Sequence, residues 1–590
     1  MKNISLKILV FTFIVGLFSA CGDEYLTEVN PNEIAKDSYW RNLDETGAGL
    51  NATYHTLHDR FILGVVEDAI RTDQGWPGYG RPAPNNINEY YNQTFTNSSE
   101  AIIERWQANY KGIFRANQVI EALENIQGEY GEDLEWTSQM AQAKFLRGLF
   151  HYYLYTVYNN GSVILREKNP LTDEEINKAV SPAEEVLAFI KTDMEYAYDN
   201  LYKKGEYPNS NDLNRATSGA AATILGSIYL NEFDYTTAMT YFEDVIDNHG
   251  YQLVYDMDRL FTTEGEHNEE SIFEVTFSSD LKPEENVWSG EAVSTTLGQI
   301  FTNTVGPTIP AWMVWRFKTE QMDPLDNRNY YDDPSTGKTL RNVPLRASAM
   351  AAIVEDNQTE YYLTGTVTEN GKFHGTAWGY GWWKKYSNHD IVEAESALPY
   401  GAVRSGKNVT MNRLADVMLM QAECKIKTGD LDAAIELMNK IRQRWGLVLL
   451  GESGSDTVHT YNEETYTASE LMEHLMNEEK ALEMCVEGYA TRYIDFKRWE
   501  QSEGIGLEQR FAELSNEVYY GVPYKYVNSA GVTKTKWNFP SIVIDPSGAI
   551  GGSSIIVDYE YDTPAANYSE KLNGTFPLPL SEVSSNPNIN

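Results

Sequence analysis

Beginning at Asp73 the chain reads DQGWPGYGRPAPNNINEYYN and continues in the same vein to Asn97. Glycine, proline and asparagine at this density stop helices and build turns. Long insertions of this kind in a compact protein tend to be functional. The stretch carries Trp76, Tyr79, Tyr90 and Tyr91, with Asp73, Arg81 and Asn86 beside them. Rings next to a few directed polar groups suit a sugar: its C–H faces pack on aromatic rings, and its hydroxyls take hydrogen bonds. A second aromatic group lies farther on, where six of the 13 tryptophans fall within Trp288–Trp383. Trp288 stands in a loop. AWMVW at 311–315 sets Trp312 and Trp315 three apart, so one can face the core and the other solvent. The expected ligand contacts are therefore Asp73, Trp76, Tyr79, Arg81, Asn86, Trp288, Trp312 and Trp315. Trp378, Tyr380, Trp382 and Trp383 form an alternative site of equal weight. Each tryptophan taken alone also reads as core.

Catalytic chemistry has no such foothold. The chain contains no HExxH, no GxSxG elbow, no P-loop and no GxGxxG. Glycosidase acids have no short signature, and among 86 acidic residues chance carboxylate pairs carry no information. A glycoside hydrolase thus remains the alternative to a binding protein, and a protein-interaction scaffold is a third reading. His55 and His58 lie three apart and Asp59 follows, but no third ligand is visible nearby. A solvated helix edge is preferred there over a metal site. No catalytic residue, metal ligand or cofactor is assigned, although calcium on loop carboxylates would leave no readable motif.

The chain has 590 residues, is 42% hydrophobic and 23% charged, and carries a formal net charge of -39. It is globular and too long for one simple core. The acidity argues against nucleic acid and anionic lipid as direct partners, because both demand basic patches. Three cysteines allow no disulfide framework or zinc spacing. Cys424 and Cys485 read as small buried hydrophobes, with one bridge between them left open.

Lys2 and Lys7 precede the apolar run Ile8–Phe18, then Ser19, Ala20 and Cys21. A charged start, an apolar middle and small residues before the cut describe a secretory signal over residues 1–20. The run is too short for a comfortable membrane span. Cysteine directly after Ser19-Ala20 resembles a bacterial lipobox. That resemblance implies a lipid anchor on Cys21, with Phe18 a departure from the usual leucine. Asp23 and Glu24 resemble the acidic surface-export signal of Bacteroidota lipoproteins.

These residues need a frame. Ala222–Asp247 reads as two short helices joined by a tight turn, with Leu225, Gly226 and Tyr229 on one and Ala238 and Phe242 on the other. The tetratricopeptide pattern L-G-x2-Y…A-x3-F fits, and such a hairpin needs further copies to bury its face. Met411–Lys427 and Leu431–Arg444 form another, with Ala422 and Ala434 repeating the spacing of Gly226 and Ala238. Helical periodicity also marks 43–60, 101–126, 134–158, a helix begun by Ser181-Pro182 and running to Leu201, and a long stretch over 471–499. SIFEVTF at 271–277 alternates as a strand. The expected fold is mainly α: a tetratricopeptide-like helical hairpin scaffold with a loop-rich insertion and small β elements. Its divisions are a signal at 1–20, a helical part at 21–250 holding loop 73–97, an aromatic insertion at 251–409, further hairpins at 410–500, and a strand and loop tail at 501–590.

The pieces in this order resemble the SusD/RagB family of outer-membrane nutrient-binding lipoproteins over nearly the whole length. The resemblance is carried by SAC at 19–21, RWQANYKGIFRANQVIEAL at 105–123 and AKFLRGLFHYYLYTVY at 143–158. RLADVMLMQAECKIKTGDLDAAIELMNKIRQR at 413–444 and EGYATRYIDFKRW at 487–499 complete it. The longer spacing from Gly488 to Arg492 and the ending NPNIN depart from the usual pattern. The resemblance implies a cell-surface protein of the outer membrane that binds oligosaccharide and partners a TonB-dependent, SusC-like barrel. It also implies that loop 73–97 and the insertion meet on one side of the scaffold as a curved aromatic surface.

Overall fold

A computed structural model describes residues 40–84, 87–281, 292–302, 306–370, 379–398, 404–548 and 555–589. The signal segment, Cys21, Asn86, Trp288 and Trp378 lie outside the described residues. Its longer helices are α1 (Leu43–His55), α2 (Glu100–Tyr130), α3 (Leu134–Val157), α4 (Ala183–Asn200), α5 (Ser218–Asn231) and α6 (Tyr235–Asn248). After the insertion, which holds α7 (Ala311–Thr319), come α8 (Leu414–Thr428), α9 (Leu431–Arg444), α10 (Thr491–Glu503) and α11 (Leu507–Ser515). Each helix from α1 to α6 packs on the next, α6 packs on α8, and α8 on α9, so one helical array runs through both halves of the chain.

The hairpins form for local reasons. In α5–α6, Asp234 caps the second helix by accepting from the Thr237 N–H at 3.1 Å. Gly226 gives the two helices room: a Cβ there would come within 2.4 Å of the Phe242 ring. Ala238 and Phe242 are buried opposite it. In α8–α9, Gly429 ends the first helix in the left-handed region (φ 84°). Asp430 then caps the second helix by accepting from the Ala433 N–H, and Ala422 and Ala434 are buried.

The helix expected over 471–499 is broken. Ala468–His474 runs into a π-type turn at Leu475–Glu479 and a last helical turn at Lys480–Glu483. The chain then leaves the helix, with Val486, Gly488 and Ala490 all at positive φ, before α10 begins. The carbonyls released from helical bonding are taken up elsewhere: Arg413 donates to the Glu483 carbonyl at 2.6 Å, Lys385 to that of Cys485 at 2.8 Å, and the Tyr386 hydroxyl to that of Val486 at 2.7 Å. Periodicity cannot see such partners, because they come from the insertion and from strand 409–413.

Strands β2 (Ser271–Val275) and β8 (Val409–Arg413) pair antiparallel and bring together the two chain ends that flank 276–408. Arg413, at the end of β8, donates to Glu270 at 2.7 Å, Glu483 at 2.8 Å and Glu487 at 2.7 Å, all buried. Within the insertion, β3 (Pro307–Thr308) pairs with β1 (Trp76–Pro77), β4 (Tyr330–Asp333) with β5 (Gly337–Leu340), and β6 (Ala351–Ile353) with β7 (Gly381–Trp383). In the tail, β9 (Tyr519–Val527) lies between β10 (Thr533–Val543) and β11 (Ile556–Asp558). A main core follows the helices. A smaller cluster of Val354, Tyr361, Tyr362, Trp382 and Phe539 lies under the insertion and tail. Cys424 and Cys485 are both free and buried, and burial pushes their thiols up to about 12 and about 11. The bridge left open between them does not form.

Candidate ligand-binding face

The segment from Asp73 is a strap, held at several points by residues from the other end of the chain. Arg492 grips the Asp73 carboxylate with two bonds, at 2.9 and 2.8 Å, and Arg510 adds a third at 2.9 Å. Burial works to raise this carboxyl, but the two guanidiniums hold it below its ordinary value. The Asp73 carbonyl accepts from the Trp312 indole N–H at 2.7 Å, and the Arg510 guanidinium lies 4.5 Å from the centre of the Trp312 ring. Loop and insertion therefore do meet, but through buried groups.

Trp76 follows on β1. Gly78 and Gly80 at φ 76° and 99° turn the chain back so that the Gly80 carbonyl accepts from the Trp76 indole N–H at 3.2 Å. The Arg81 guanidinium lies 3.9 Å from the Trp76 ring and 4.4 Å from the Tyr380 ring. It donates to Asp558, Glu560 and the Ile309 carbonyl. Glu560 also accepts from the Ala311 N–H at the start of α7, at 2.7 Å. Burial raises the Glu560 carboxyl to about 7 against the opposing Arg81 charge. A carboxyl near 7 suits general acid chemistry, yet this one is only 2% exposed, behind Arg81 and α7. It belongs to the strap.

These contacts correct the expected site. Asp73, Trp76 (2% exposed), Arg81 and Trp312 (1%) are bonded inside the protein through the Asp73 carboxylate, the two indole N–H groups and the Arg81 Nη1 and Nη2 atoms, and an indole stacks on a sugar only if it presents a face to solvent. Tyr380, Trp382 and Trp383 of the alternative site are buried as well. The physical reason is the strap: a glycine- and proline-rich run reads as displayed only until its partners 419 to 479 residues away are known. Trp315 is half-buried on α7, with the Lys318 ammonium over its ring at 5.5 Å from the centre. Tyr79 stays partly open and packs on the smaller cluster around Trp382 and Phe539.

Among the described residues Trp537 is the one exposed tryptophan, at 52%. It sits in β10 where the pairing with β9 slips between Lys536 and Ser541. Such a bulge re-aims a side chain. Its neighbours are pinned. The Lys536 ammonium donates to the Glu369 carbonyl at 2.8 Å, and the Asn538 carbonyl accepts from the Gly379 N–H at 3.4 Å. Phe539 meets Trp382 edge-on at 4.5 Å. Tyr524 on β9 flanks the same cluster as Tyr79. The arrangement holds a large ring in solvent on a strand whose neighbouring residues are fixed. The sequence carried one cue: Pro540 lies inside the strand pattern TKTKWNFP, and proline in a strand marks an edge or a bulge.

The fold is thus a helical hairpin array that carries a loop-rich insertion and a strand tail with one exposed indole. The SusD family model matches residues 269–590, and the model of a family described as starch-binding associating with outer membrane matches 52–230. The chain belongs to the SusD family. It is 28% identical to a SusD-like protein of Bacteroides ovatus over 278 residues, which is 45% of this chain and 48% of that relative. The chain thus spans about half the length of that relative. A SusD-like protein of Formosa agariphila is 24% identical over 84% of this chain and 91% of its own. The crystal structure of a SusD superfamily protein from Bacteroides vulgatus superposes with a TM-score of 0.65 at 22% identity, covering 94% of this chain and 99% of that one. Surface glycan-binding protein A from Bacteroides uniformis superposes at 0.60 with 18% identity, over 93% and 99%. These likenesses establish the mainly α fold with small β elements. Among the described residues no helix is long and apolar enough to cross a membrane.

Proposed function

We propose that this chain is a cell-surface lipoprotein, anchored to the outer membrane through Cys21, that captures oligosaccharides and passes them to a TonB-dependent, SusC-like barrel. Trp537 carries the binding part of this reading: an exposed indole on a pinned strand offers a face for a pyranose ring. Family membership and structural neighbours described as laminarin-binding and glycan-binding support a carbohydrate ligand. Stacking and hydroxyl hydrogen bonds require no cofactor, and the reading assigns no catalysis. A lipid-anchored protein in which no helix among the described residues can cross a bilayer needs a transporter partner to move its ligand inward.

Native affinity gels cast with a panel of polysaccharides test the binding, with retardation expected for at least one polymer. No retardation across the panel favours an interaction scaffold. Release of shortened products on thin-layer chromatography favours the hydrolase. Pull-down from outer membrane in mild detergent should recover a barrel in near-stoichiometric amount, and recovery of the lipoprotein alone counts against delivery.

A further inference from the structure

Trp106, Tyr110 and Phe114 recur every four residues along α2 and so line one side of it. Trp106 is buried, 4.8 Å from Tyr110 between ring centres, and its indole N–H donates to Glu582 at 3.3 Å. The Tyr110 hydroxyl donates to the Ile164 carbonyl at 2.8 Å, which leaves its ring as what it offers the surface. Phe114 ends the row 46% exposed. Between this row and the segment 164–170 lies an open groove of about 410 Å³. Its floor is aromatic, and its rim carries Gln107, Lys111, Arg166 and Glu582. The size falls in the range of roughly 300–1,000 Å³ typical of small-molecule sites.

We propose that this groove is a second carbohydrate-binding site, taking a saccharide of one or two rings with a ring face against Phe114 and hydroxyls on Gln107, Lys111 and Glu582. The rim selects the chemistry. Lys111, Arg166 and Glu582 face the same space, and Arg166 spends both terminal nitrogens on the Glu175 and Ile176 carbonyls, so charges of both signs border the groove, whereas a hydroxyl can donate to Glu582 or accept from Lys111. The aromatic floor rewards an apolar face, and a neutral sugar combines both features. The site lies on α2, shares no lining residue with the Trp537 platform and does not depend on it.

Saturation-transfer NMR of the full chain with the methyl glycosides of glucose, galactose, mannose and xylose tests the assignment. At least one glycoside should give a signal that survives Trp537→Ala. Its affinity should fall about tenfold in Phe114→Ala, with an unchanged melting temperature because that ring is half in solvent. Gln107→Ala, also at an exposed residue, should give a smaller loss of the same sign. Wild-type affinity for every glycoside in Phe114→Ala overturns the proposal, as does the absence of any glycoside signal. Uptake of anilinonaphthalene sulfonate that is lost in Phe114→Ala, without glycoside binding, assigns the groove to a protein partner and also overturns it. Polymer retention in gels tests the platform separately, so a failure there leaves this result readable.

Discussion

The Asp73 carboxylate and the Arg492 guanidinium form a two-bond pair, at 2.9 and 2.8 Å, across 419 residues of sequence. Both side chains are buried, and Arg510 shares the same carboxylate. Removing the charge leaves the buried Arg492 without its carboxylate and Arg510 with the more exposed Glu513 at 3.5 Å, and breaking a buried pair in this way costs about 3–5 kcal/mol. Asp73→Asn should therefore lower the urea midpoint strongly, while the folded fraction keeps its glycan affinity. Loss of affinity at unchanged stability would return Asp73 to the ligand site.

Trp537 and Trp312 should behave as opposites. Trp537→Ala removes an exposed ring, so glycan affinity by isothermal titration should drop roughly tenfold, equivalent to about 1.4 kcal/mol, at a nearly constant melting temperature. Trp312→Ala empties a core site and should cost about 3–5 kcal/mol of stability. Full affinity in the first variant, or an unchanged melting temperature in the second, contradicts the placement.

The α5–α6 contact gives a packing test. Ala238→Leu should overpack the space facing α5 and cost about 1–3 kcal/mol. Gly226→Ala should act in the same direction, because its new Cβ meets the Phe242 ring. Differential scanning calorimetry reads both, and melting curves that overlay the wild type would show that the helices do not meet there.

Glu560 predicts a pH dependence. Burial raises its carboxyl from the ordinary 4.5 to about 7. The folded chain thus holds a proton that the unfolded chain releases between those values, and stability falls as pH rises through that window. Glu560→Gln abolishes this titration and keeps the shape. Its unfolding free energy relative to wild type, read from urea melts, should become more positive from pH 5 to pH 8 by about 1–3 kcal/mol. A difference independent of pH removes Glu560 from the account.

Cys21 is the thiol of the proposed lipid anchor. Cys21→Ala should shift the protein from the membrane pellet to the soluble fraction, with the same melting temperature as the released wild-type domain. A variant that stays in the outer-membrane pellet disproves the lipid anchor.

The helical scaffold was legible in the residues because its signals are local. Gly226, Ala238 and Phe242, the caps Asp234 and Asp430, and the stop at Gly429 each act within a few residues, and the structure places each in a hairpin. The strand expected over 271–277 was legible for the same reason, by alternation, and forms over Ser271–Val275. What the chain shows to solvent was not. Asp73, Trp76 and Arg81 sit in a run that reads as an exposed loop, and they are buried by Arg492, Arg510, Tyr380, Asp558 and Glu560, which approach only once the chain has folded. The break at 484–490 likewise depends on Arg413, Lys385 and Tyr386 taking carbonyls that a helix would have used. Trp537 lay unremarked in a tail, since whether a ring is core or platform is decided by what lies over it, and that depends on contacts between distant segments rather than on the ring or its neighbours in sequence.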